Sequence, residues 1–386
     1  MPDTVRFRTR TEFMERRNGT LPDMWLVGLD AGYSSIKTFS SNAVSVFPAF
    51  AQPFRGDTIG ALPDTHYLLT DHLTGTRWVV GDAAERAVMP DDMTVSDESL
   101  YGEDRYDDPM FRVLVETGLA LGMTNAAGIA PDGRTIHVQT GLPPKYLKKD
   151  SGRMVDVIAG HHSFSLQRGS HEPAEYDFTI DRSHVYLMEQ PKGSVMSVIA
   201  TNQHGTTDDA EQIFASNTLV LDGGFRTLDT YPIQNRHVLQ PQTFPEYGMI
   251  QVLQMTADQI DKTYHTQVSS IGMQECLRRG YVRCHTKFSS EDKPFQDMLL
   301  AADKAVCGKM LDRIAQVYPL YDYNYLIVTG GAGAAWNSMI RDTLKGLHGL
   351  TILGGNRNDS QLPYLMMNAR GYFHRLYFLL SSRIRM

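Results

Sequence analysis

Two short motifs of the same design lie 192 residues apart, and they constrain the fold more than any other feature of this chain. The first reads Asp-Ala-Gly-Tyr-Ser-Ser-Ile-Lys over 30–37, and the second reads Asp-Gly-Gly-Phe-Arg-Thr-Leu-Asp over 222–229. Each follows an apolar run, 25–29 or 218–221, and precedes another short run of strand composition. The pattern predicts two β-hairpins, each with an acidic residue at the end of its first strand and glycine in its turn.

The turn of the first hairpin has the residue types that bind phosphate. Gly32 lets a ligand approach the backbone closely, and successive N–H groups in such a turn form an anion-binding nest. Ser34 and Ser35 add hydroxyl donors, while Lys37 on the returning strand adds a mobile positive charge. Asp30 at the strand end would orient the water shell of Mg²⁺. Taken alone, this motif is explained equally well by an ordinary hairpin with an exposed lysine.

The second hairpin repeats this arrangement. Asp222 ends a strand, Gly223 and Gly224 form the turn, and Thr227 offers a hydroxyl. Two copies of an acidic residue at a strand end before glycine rarely arise by chance. If the two hairpins face each other, they form a clamp for a metal-bound polyphosphate, with Asp30 and Asp222 on the metal side.

A third element is rich in glycine. Residues 325–329 have the composition of a buried strand, Gly-Gly-Ala-Gly follows over 330–333, and a helical pattern extends over 334–347. Such a strand-to-helix turn lets a ribose or base lie against bare backbone near a helix N-terminus. The element does not match G-x-G-x-x-G, and G-x-x-x-x-G-K-[ST] occurs nowhere in the chain.

In this order and at this separation, the three elements resemble the actin-like ATPase superfamily. In its terms the hairpins correspond to the two phosphate motifs, and residues 326–333 to the adenosine motif. Val-Gln-Thr-Gly-Leu-Pro-Pro-Lys-Tyr over 138–146 is similar to a loop of plasmid-segregation actins of the ParM/StbA type and their archaeal relatives. Asn-Ala-Arg-Gly-Tyr-Phe over 368–373 resembles the closing helix of that group, with Tyr372 in place of phenylalanine.

The resemblance implies an α/β architecture, the actin-like (ribonuclease H-like) two-domain ATPase fold with a nucleotide cleft between the domains. Strands interrupted by helices point independently to mixed α/β layers. The implied organisation is an N-terminal extension over 1–23, domain I over 24–190 together with 364–386, and domain II over 191–363.

The resemblance also implies which residues bind the cofactors, which are ATP or GTP and Mg²⁺. They come from both hairpins, the adenosine motif and the residue before a long predicted helix: Asp30, Gly32, Tyr33, Ser34, Ser35, Lys37, Gly223, Gly224, Phe225, Thr227, Gly248, Gly330, Gly331, Ala332 and Gly333. Asp30 and Asp222 are the implied metal residues.

The family places a catalytic residue between the hairpins, at a strand end before a helix, and residues 185–193 fit that place. Gln190 matches the glutamine of relatives, and glutamine orients the attacking water without carrying charge. Glu189 is the alternative, because some segregation actins use glutamate in this region. The chain has Glu189 where proline is common and Ser194 where alanine is common, so the register stays open. Asp222 completes the implied catalytic set.

The implied function is that of an actin-like ATPase that binds ATP·Mg²⁺ between its domains, polymerises with itself into helical filaments and hydrolyses the nucleotide. By analogy, the filaments would move plasmid DNA or another cargo through a DNA-binding adaptor. Two alternatives stay open. A small-molecule kinase of the same fold would need a catalytic aspartate as base, whose position the sequence does not reveal. A non-polymerising ATP-dependent adaptor would bind a partner instead.

Composition limits the other classes. A formal net charge of −7 argues against direct nucleic-acid binding by the bulk of the protein. The three cysteines form no disulfide framework and no zinc spacing, which suits a reducing, cytoplasmic environment. Residues 1–22 are polar and unlike a signal peptide, and no apolar run reaches membrane-spanning length.

Three peripheral segments carry simpler expectations. Residues 1–22 are expected to be a loosely held extension, whose five arginines lie in a solvated tail. The acidic run 91–108 is expected to be a surface loop, with a contact between subunits as the alternative. The stretch 374–386 is expected to pack on domain I, with an amphipathic membrane anchor as the alternative.

Overall fold

The computed structural model describes residues 5–57, 60–87, 103–125, 128–129 and 133–384. The strands in chain order are β1 (Glu12–Glu15), β2 (Met24–Ala31), β3 (Ser35–Ser40), β4 (Ala43–Pro48), β5 (Ala51–Pro53), β6 (Tyr67–Asp71), β7 (Arg77–Val80), β8 (Thr124–Asn125), β9 (Gly128–Ile129), β10 (Thr135–Leu142), β11 (Gly160–Arg168), β12 (Ala174–Ile180), β13 (Val185–Glu189), β14 (Thr218–Gly223), β15 (Leu228–Gln234), β16 (His237–Val238), β17 (Gln242–Phe244), β18 (Val282–His285), β19 (Ser290–Lys293), β20 (Tyr325–Thr329) and β21 (Thr351–Gly354).

The α-helices are α1 (Asp82–Ala87), α2 (Pro109–Met123), α3 (Pro144–Ile158), α4 (Gln190–Ile199), α5 (Ala210–Ala215), α6 (Met249–Tyr264), α7 (Ser270–Arg279), α8 (Gln296–Val317), α9 (Gly330–Leu344) and α10 (Met367–Ile384). Short 3₁₀ turns cover Val5–Phe7, Glu103–Asp107, Arg182–His184, Leu320–Asp322 and Tyr364–Met366.

Local sequence explains several helix ends. The Asp108 side chain accepts a hydrogen bond from the Met110 N–H at the start of α2, where Pro109 fits the first helical position. Ser269 caps α7 in the same way through the Gly272 N–H. That helix ends at Gly280, whose φ of 78° is the left-handed conformation that glycine adopts most readily.

The first half of the molecule is built on a sheet with the strand order β1-β4-β3-β2-β10-β13. Strands β2, β10 and β13 run parallel, whereas β3, β4 and β1 continue the sheet in antiparallel fashion. Helix α10 covers one face, where Phe373 and Leu376 are fully buried against Leu26 and Phe39. The expectation that the C-terminal stretch packs on this half holds as far as Leu380, the last residue of that core cluster, and residues 385–386 lie outside the described part.

The second half repeats this plan with the strand order β16-β15-β14-β20-β21, and β17 pairs with β15. The β14–β15 hairpin is antiparallel, and β14, β20 and β21 are parallel. Helices α6 to α9 pack on one face around Trp336, and α4 and α5 pack on the other around Ile213. A separate five-stranded sheet, β12-β11-β6-β7-β5, extends the first half.

Helices α4 and α10 connect the two halves through a glycine contact. A Cβ on Gly371 would lie 1.7 Å from the Gly193 carbonyl oxygen, so the helices approach closer than any side chain would permit. Gly28 of β2 meets the same helix, because a Cβ there would lie 2.2 Å from the Ala369 carbonyl oxygen. These close contacts set the position of α10 relative to β2 and α4.

Two expectations need correction and one is left partly open. The N-terminal segment is not loosely held, since Phe7 is 3% exposed within the core of the second half. The helix expected over 334–347 begins earlier, at Gly330, because the glycine-rich turn forms its first turn. In the acidic run, residues 91–102 lie outside the described residues, and Glu103–Asp107 forms a 3₁₀ turn.

Candidate functional site

The first hairpin holds a buried ion pair. Asp30 on β2 and Lys37 on β3 are paired in register, and the Lys37 Nζ lies 3.3 Å from Asp30 Oδ2. Both residues are buried, although each also lines a cavity. Ser34 and Ser35 of the turn line the same cavity. The charged and hydroxyl groups expected for phosphate binding therefore meet at one end of the sheet.

The second hairpin presents two carboxylates without a cation. Asp222 on β14 and Asp229 on β15 are paired in register, and neither forms an ion pair among the described residues. Asp222 Oδ2 accepts a hydrogen bond from Asn368 Nδ2 at 2.7 Å. The turn is closed by the Gly224 N–H, which donates to the Thr227 carbonyl oxygen at 2.8 Å.

The two hairpins face each other across a cavity of about 310 Å³. Burial raises the pKa of Asp222 to about 6, and the negative charge of Asp30 adds to the rise against the opposing effects of Asn368 and Lys37. Burial raises the pKa of Asp229 further, to about 8, with a contribution from Asp222. Buried carboxylates in this setting favour a bound cation, because its charge offsets their desolvation.

The donor set fits a magnesium ion. Asp30 and Asp222 contribute only oxygen atoms and come from opposite halves, which suits a metal that takes oxygen ligands and keeps several waters. In the described ranges, no group of three or more His, Cys, Asp or Glu residues has the arrangement of a metal site. Two carboxylates with water and phosphate oxygens are a usual environment for Mg²⁺ beside a nucleotide.

The glycine-rich element packs against the second hairpin. Gly330 has φ of 79°, and a Cβ there would lie 2.3 Å from the Gly223 carbonyl oxygen and 2.6 Å from Asp222 Oδ1. A Cβ on Gly223 would in turn lie 2.6 Å from the Gly333 backbone nitrogen. Gly330, Gly331 and Ala332 line the cavity. The N-terminus of α9 and the acidic hairpin thus share one wall of the cavity.

The two candidate catalytic residues lie in different surroundings. Gln190 is the first residue of α4 and lines the cavity. The Glu189 carboxylate instead accepts a hydrogen bond from the Tyr231 hydroxyl at 2.8 Å and is not part of the cavity wall. Ser194, one turn further along α4, donates to Asn368 Oδ1 at 2.6 Å and so positions the amide that holds Asp222.

Comparison with known proteins bears on the fold of the chain. Residues 28–193 match the family model described as the N-terminal domain of actin-like proteins. A 15-stranded ParM filament from Clostridium botulinum superimposes with a TM-score of 0.70 at 17% identity, covering 92% of this chain and 99% of that one. No curated protein sequence matches the chain.

Two further structures extend the likeness. A non-polymerisable quadruple mutant of pCBH ParM gives a TM-score of 0.68 at 18% identity, covering 93% of this chain and 99% of that one. An archaeal actin homologue solved in complex with ADP gives a TM-score of 0.60 at 14% identity, covering 94% of this chain and 100% of that one. This chain has the actin-like fold. The fold class and the likeness to ParM-type and archaeal actins, both expected from the sequence, are confirmed.

Within the actin-like fold, many of the residues expected to bind nucleotide or to catalyse its hydrolysis line the cavity. They are Asp30, Ser34, Ser35, Lys37, Gln190, Asp222, Gly224, Phe225, Gly330, Gly331 and Ala332. Gly32, Tyr33, Glu189, Gly223, Thr227, Gly248 and Gly333 do not line it. The assignment of these residues to nucleotide binding stays a prediction.

Some of the residues outside the cavity wall have structural reasons for their identity. Gly248 precedes α6, and a Cβ there would lie 2.3 Å from the Phe225 carbonyl oxygen, so the second hairpin itself requires glycine. Tyr33 packs between Arg105 and Arg226, whose guanidinium carbons lie 4.3 Å and 5.3 Å from the ring centroid. Tyr33 therefore joins the two halves beside the cavity.

Sequence reasoning missed Asn368 and residues 6–12. Asn368 opens the Asn-Ala-Arg-Gly-Tyr-Phe segment used for the family resemblance, so a signal was present, but its partner Asp222 lies 146 residues away. The sequence predicts that the arginines of the N-terminal segment lie in solvent, whereas three of them line the cavity. In the described part of the chain, no helix combines the length and apolar character needed to cross a membrane.

Proposed function

We propose that this protein is an actin-like nucleoside triphosphatase that binds ATP or GTP with Mg²⁺ between its halves and assembles with itself into helical filaments. One observation carries the proposal. Asp30 and Lys37 from one half and Asp222 from the other line a single cavity, together with the glycine-rich start of α9. That combination supplies a cation, metal-side carboxylates and bare backbone within the reach of one nucleotide.

Each wall of the cavity has a separate task. Lys37 and the hydroxyls of Ser34 and Ser35 bind the phosphate oxygens. Asp30 and Asp222 orient waters of the metal shell, and Asn368 keeps the Asp222 carboxylate in place. When bound, Mg²⁺ neutralises charge that develops on the phosphates during transfer.

Gln190 is the proposed residue that orients the attacking water. Its amide both donates and accepts, so it holds a water without removing the proton itself. Two observations support it over Glu189: Gln190 lines the cavity, and the Glu189 carboxylate is engaged by Tyr231. Replacing Gln190 by alanine should slow hydrolysis while nucleotide still binds.

Filament assembly is supported by the fold shared with a ParM filament. Subunits that stack head to tail make heterologous contacts, which propagate into helical polymers. Closure of the two halves on a nucleoside triphosphate would favour filament assembly, and hydrolysis would favour release of subunits from the filament. The proposed cellular task is to move plasmid DNA or another cargo in the cytoplasm through a DNA-binding adaptor.

Light scattering and negative-stain electron microscopy test this proposal directly. The protein should form filaments with ATP, GTP or a non-hydrolysable analogue, and none with EDTA. Asp222→Ala should lose hydrolysis, whereas Asp208→Ala, an exposed acid in the same half, should behave as the wild type. A protein that stays monomeric at high concentration with every nucleotide would refute filament assembly.

A further inference from the structure

Residues Arg6–Glu12, called the cleft strap below, pass from the second half of the molecule to the first beside the nucleotide cavity. One end is fixed in the second half. Phe7 is 3% exposed in the same core cluster as Trp336. Arg6 forms an ion pair with Asp303 at 2.9 Å and also donates to the Ala335 carbonyl oxygen at 3.3 Å.

The other end of the strap is fixed in the first half. The Thr11 N–H donates to Asp82 Oδ2 at 3.2 Å, and the Thr9 hydroxyl donates to the Glu85 carboxylate at 3.2 Å. Between these anchors, the Thr9 N–H donates to Gln274 Oε1 of the second half at 3.0 Å. The strap is thus bonded alternately to both halves, which must separate when the cleft opens.

The strap enters the first sheet in line with the phosphate hairpin. Its last residue, Glu12, begins β1 and is paired in register with Val46. Val46 is paired with Lys37, and Lys37 with Asp30. These residues therefore form one row across four strands, with the strap at its edge. The strap lines the cavity along its whole length, from Arg6 to Glu12, with the single exception of Thr11.

Arg8 and Arg10 of the strap line the cavity, and neither forms a buried ion pair among the described residues. Arg6 is engaged by Asp303. Arg8 has no hydrogen bond or ion pair among the described residues, although it also borders a small charged pocket where its positive charge lies near Glu85. Arg10 pairs only with Glu12, and their side chains are 49% and 47% exposed. An ion pair that exposed contributes little. A guanidinium group binds phosphate oxygens in bidentate fashion and forms stronger bonds there than in water.

We propose that the cleft strap is part of the nucleotide site, with Arg8 and Arg10 binding the polyphosphate of the nucleotide and the two anchors slowing its release. This inference rests on the proposed nucleotide binding. Because the strap bridges both halves, opening the cleft requires one anchor to detach. The strap therefore acts mainly on the rate of dissociation.

The test measures binding and release of a fluorescent ATP analogue with Mg²⁺ by stopped-flow fluorescence, using the full chain. Arg8→Ala/Arg10→Ala should raise Kd at least about tenfold, mostly through faster dissociation, because two charge-assisted contacts are lost. The lysine pair Arg8→Lys/Arg10→Lys should recover part of the affinity, since charge remains without the bidentate geometry. Arg17→Ala is the matched control, because Arg17 is an exposed arginine that follows the strap and does not line the cavity, and it should match the wild type.

A second variant tests the anchor separately. Phe7→Ala removes the buried ring while leaving both arginines, so dissociation should become several-fold faster with little change in association. If wild type binds nucleotide but Arg8→Ala/Arg10→Ala releases it no faster than Arg17→Ala, the strap proposal is overturned and the nucleotide site stands. If wild type binds no nucleotide, the proposed function itself fails.

Discussion

The two hairpins share a backbone plan but differ in how their buried charges are balanced. The first carries its own cation, since Lys37 lies 3.3 Å from Asp30. The second places Asp222 opposite Asp229, and among the described residues their hydrogen-bond partners are an amide and hydroxyl groups. Burial accordingly raises the pKa of Asp222 to about 6 and that of Asp229 to about 8.

This difference indicates that the two hairpins have different roles in ligand binding. In the first hairpin the charge of Asp30 is balanced by Lys37 without any ligand, so the hairpin can hold these side chains in a preformed arrangement for phosphate. The second is incomplete, because its carboxylates are desolvated and no described residue forms an ion pair with them. A magnesium ion would complete it, and binding a cation there would also draw the two halves together. Substitutions in the two hairpins should therefore have opposite consequences.

The largest effect is expected on hydrolysis. Asp222→Ala removes the carboxylate proposed to orient the metal shell, and phosphate release should fall about 100-fold or more, given that metal ions supply several kcal/mol of transition-state stabilisation. A coupled phosphate-release assay measures this, with Asp208→Ala as the control. Turnover at the wild-type rate would remove Asp222 from the catalytic set.

Stability should respond in the opposite sense in the two hairpins. Asp30→Asn leaves the buried ammonium of Lys37 without its partner and should lower the free energy of unfolding by about 3 kcal/mol. Asp222→Asn removes a desolvated charge and keeps the shape, so the ligand-free protein should be as stable as the wild type or more stable. Urea unfolding without nucleotide measures both. Equal losses of unfolding free energy in the two variants would show that the buried charges of the two hairpins are balanced in the same way.

Glycine substitutions sharpen the comparison by testing how the second hairpin is positioned. Gly248→Ala would place a Cβ 2.3 Å from the Phe225 carbonyl oxygen, and overpacking of this kind costs about 2 kcal/mol. Gly331→Ala is the control, because a Cβ there meets nothing within 4 Å. Thermal unfolding should separate the two variants, and equal melting temperatures would contradict the close contact.

The smallest effect is expected at Tyr372, which lies beneath both hairpins. The ring is fully buried, its hydroxyl has no hydrogen-bond partner among the described residues, and burial with the charges of Asp30, Asp222 and Asp229 raises its pKa well above the usual value. Tyr372→Phe should therefore stabilise the protein by about 1 kcal/mol, since an unsatisfied buried hydroxyl is removed. A loss of stability would show that the hydroxyl is hydrogen-bonded.

Contiguous features of this fold could be read from the sequence, whereas contacts between distant segments could not. The two hairpins and strand β20 are encoded locally, by apolar runs that are followed by Asp-Ala-Gly, Asp-Gly-Gly or Gly-Gly. Asn368 forms a hydrogen bond with Asp222, and Phe7 is buried in the same core cluster as Trp336. Each of these contacts joins residues more than a hundred positions apart in the sequence, so local patterns do not predict them. The arginine-rich composition of this segment predicts a solvated tail, because composition alone does not indicate a buried anchor such as Phe7.

The most direct test of the central claim compares ATP affinity with and without Mg²⁺ by isothermal titration calorimetry, in wild type and in Asp222→Asn. We expect wild type to bind ATP about tenfold or more tightly with Mg²⁺ than with EDTA, since the metal satisfies the second hairpin. Asp222→Asn should lose most of that difference and retain the metal-free affinity supplied by Lys37. A variant that keeps the full magnesium effect would contradict the assignment of the metal to the facing hairpins.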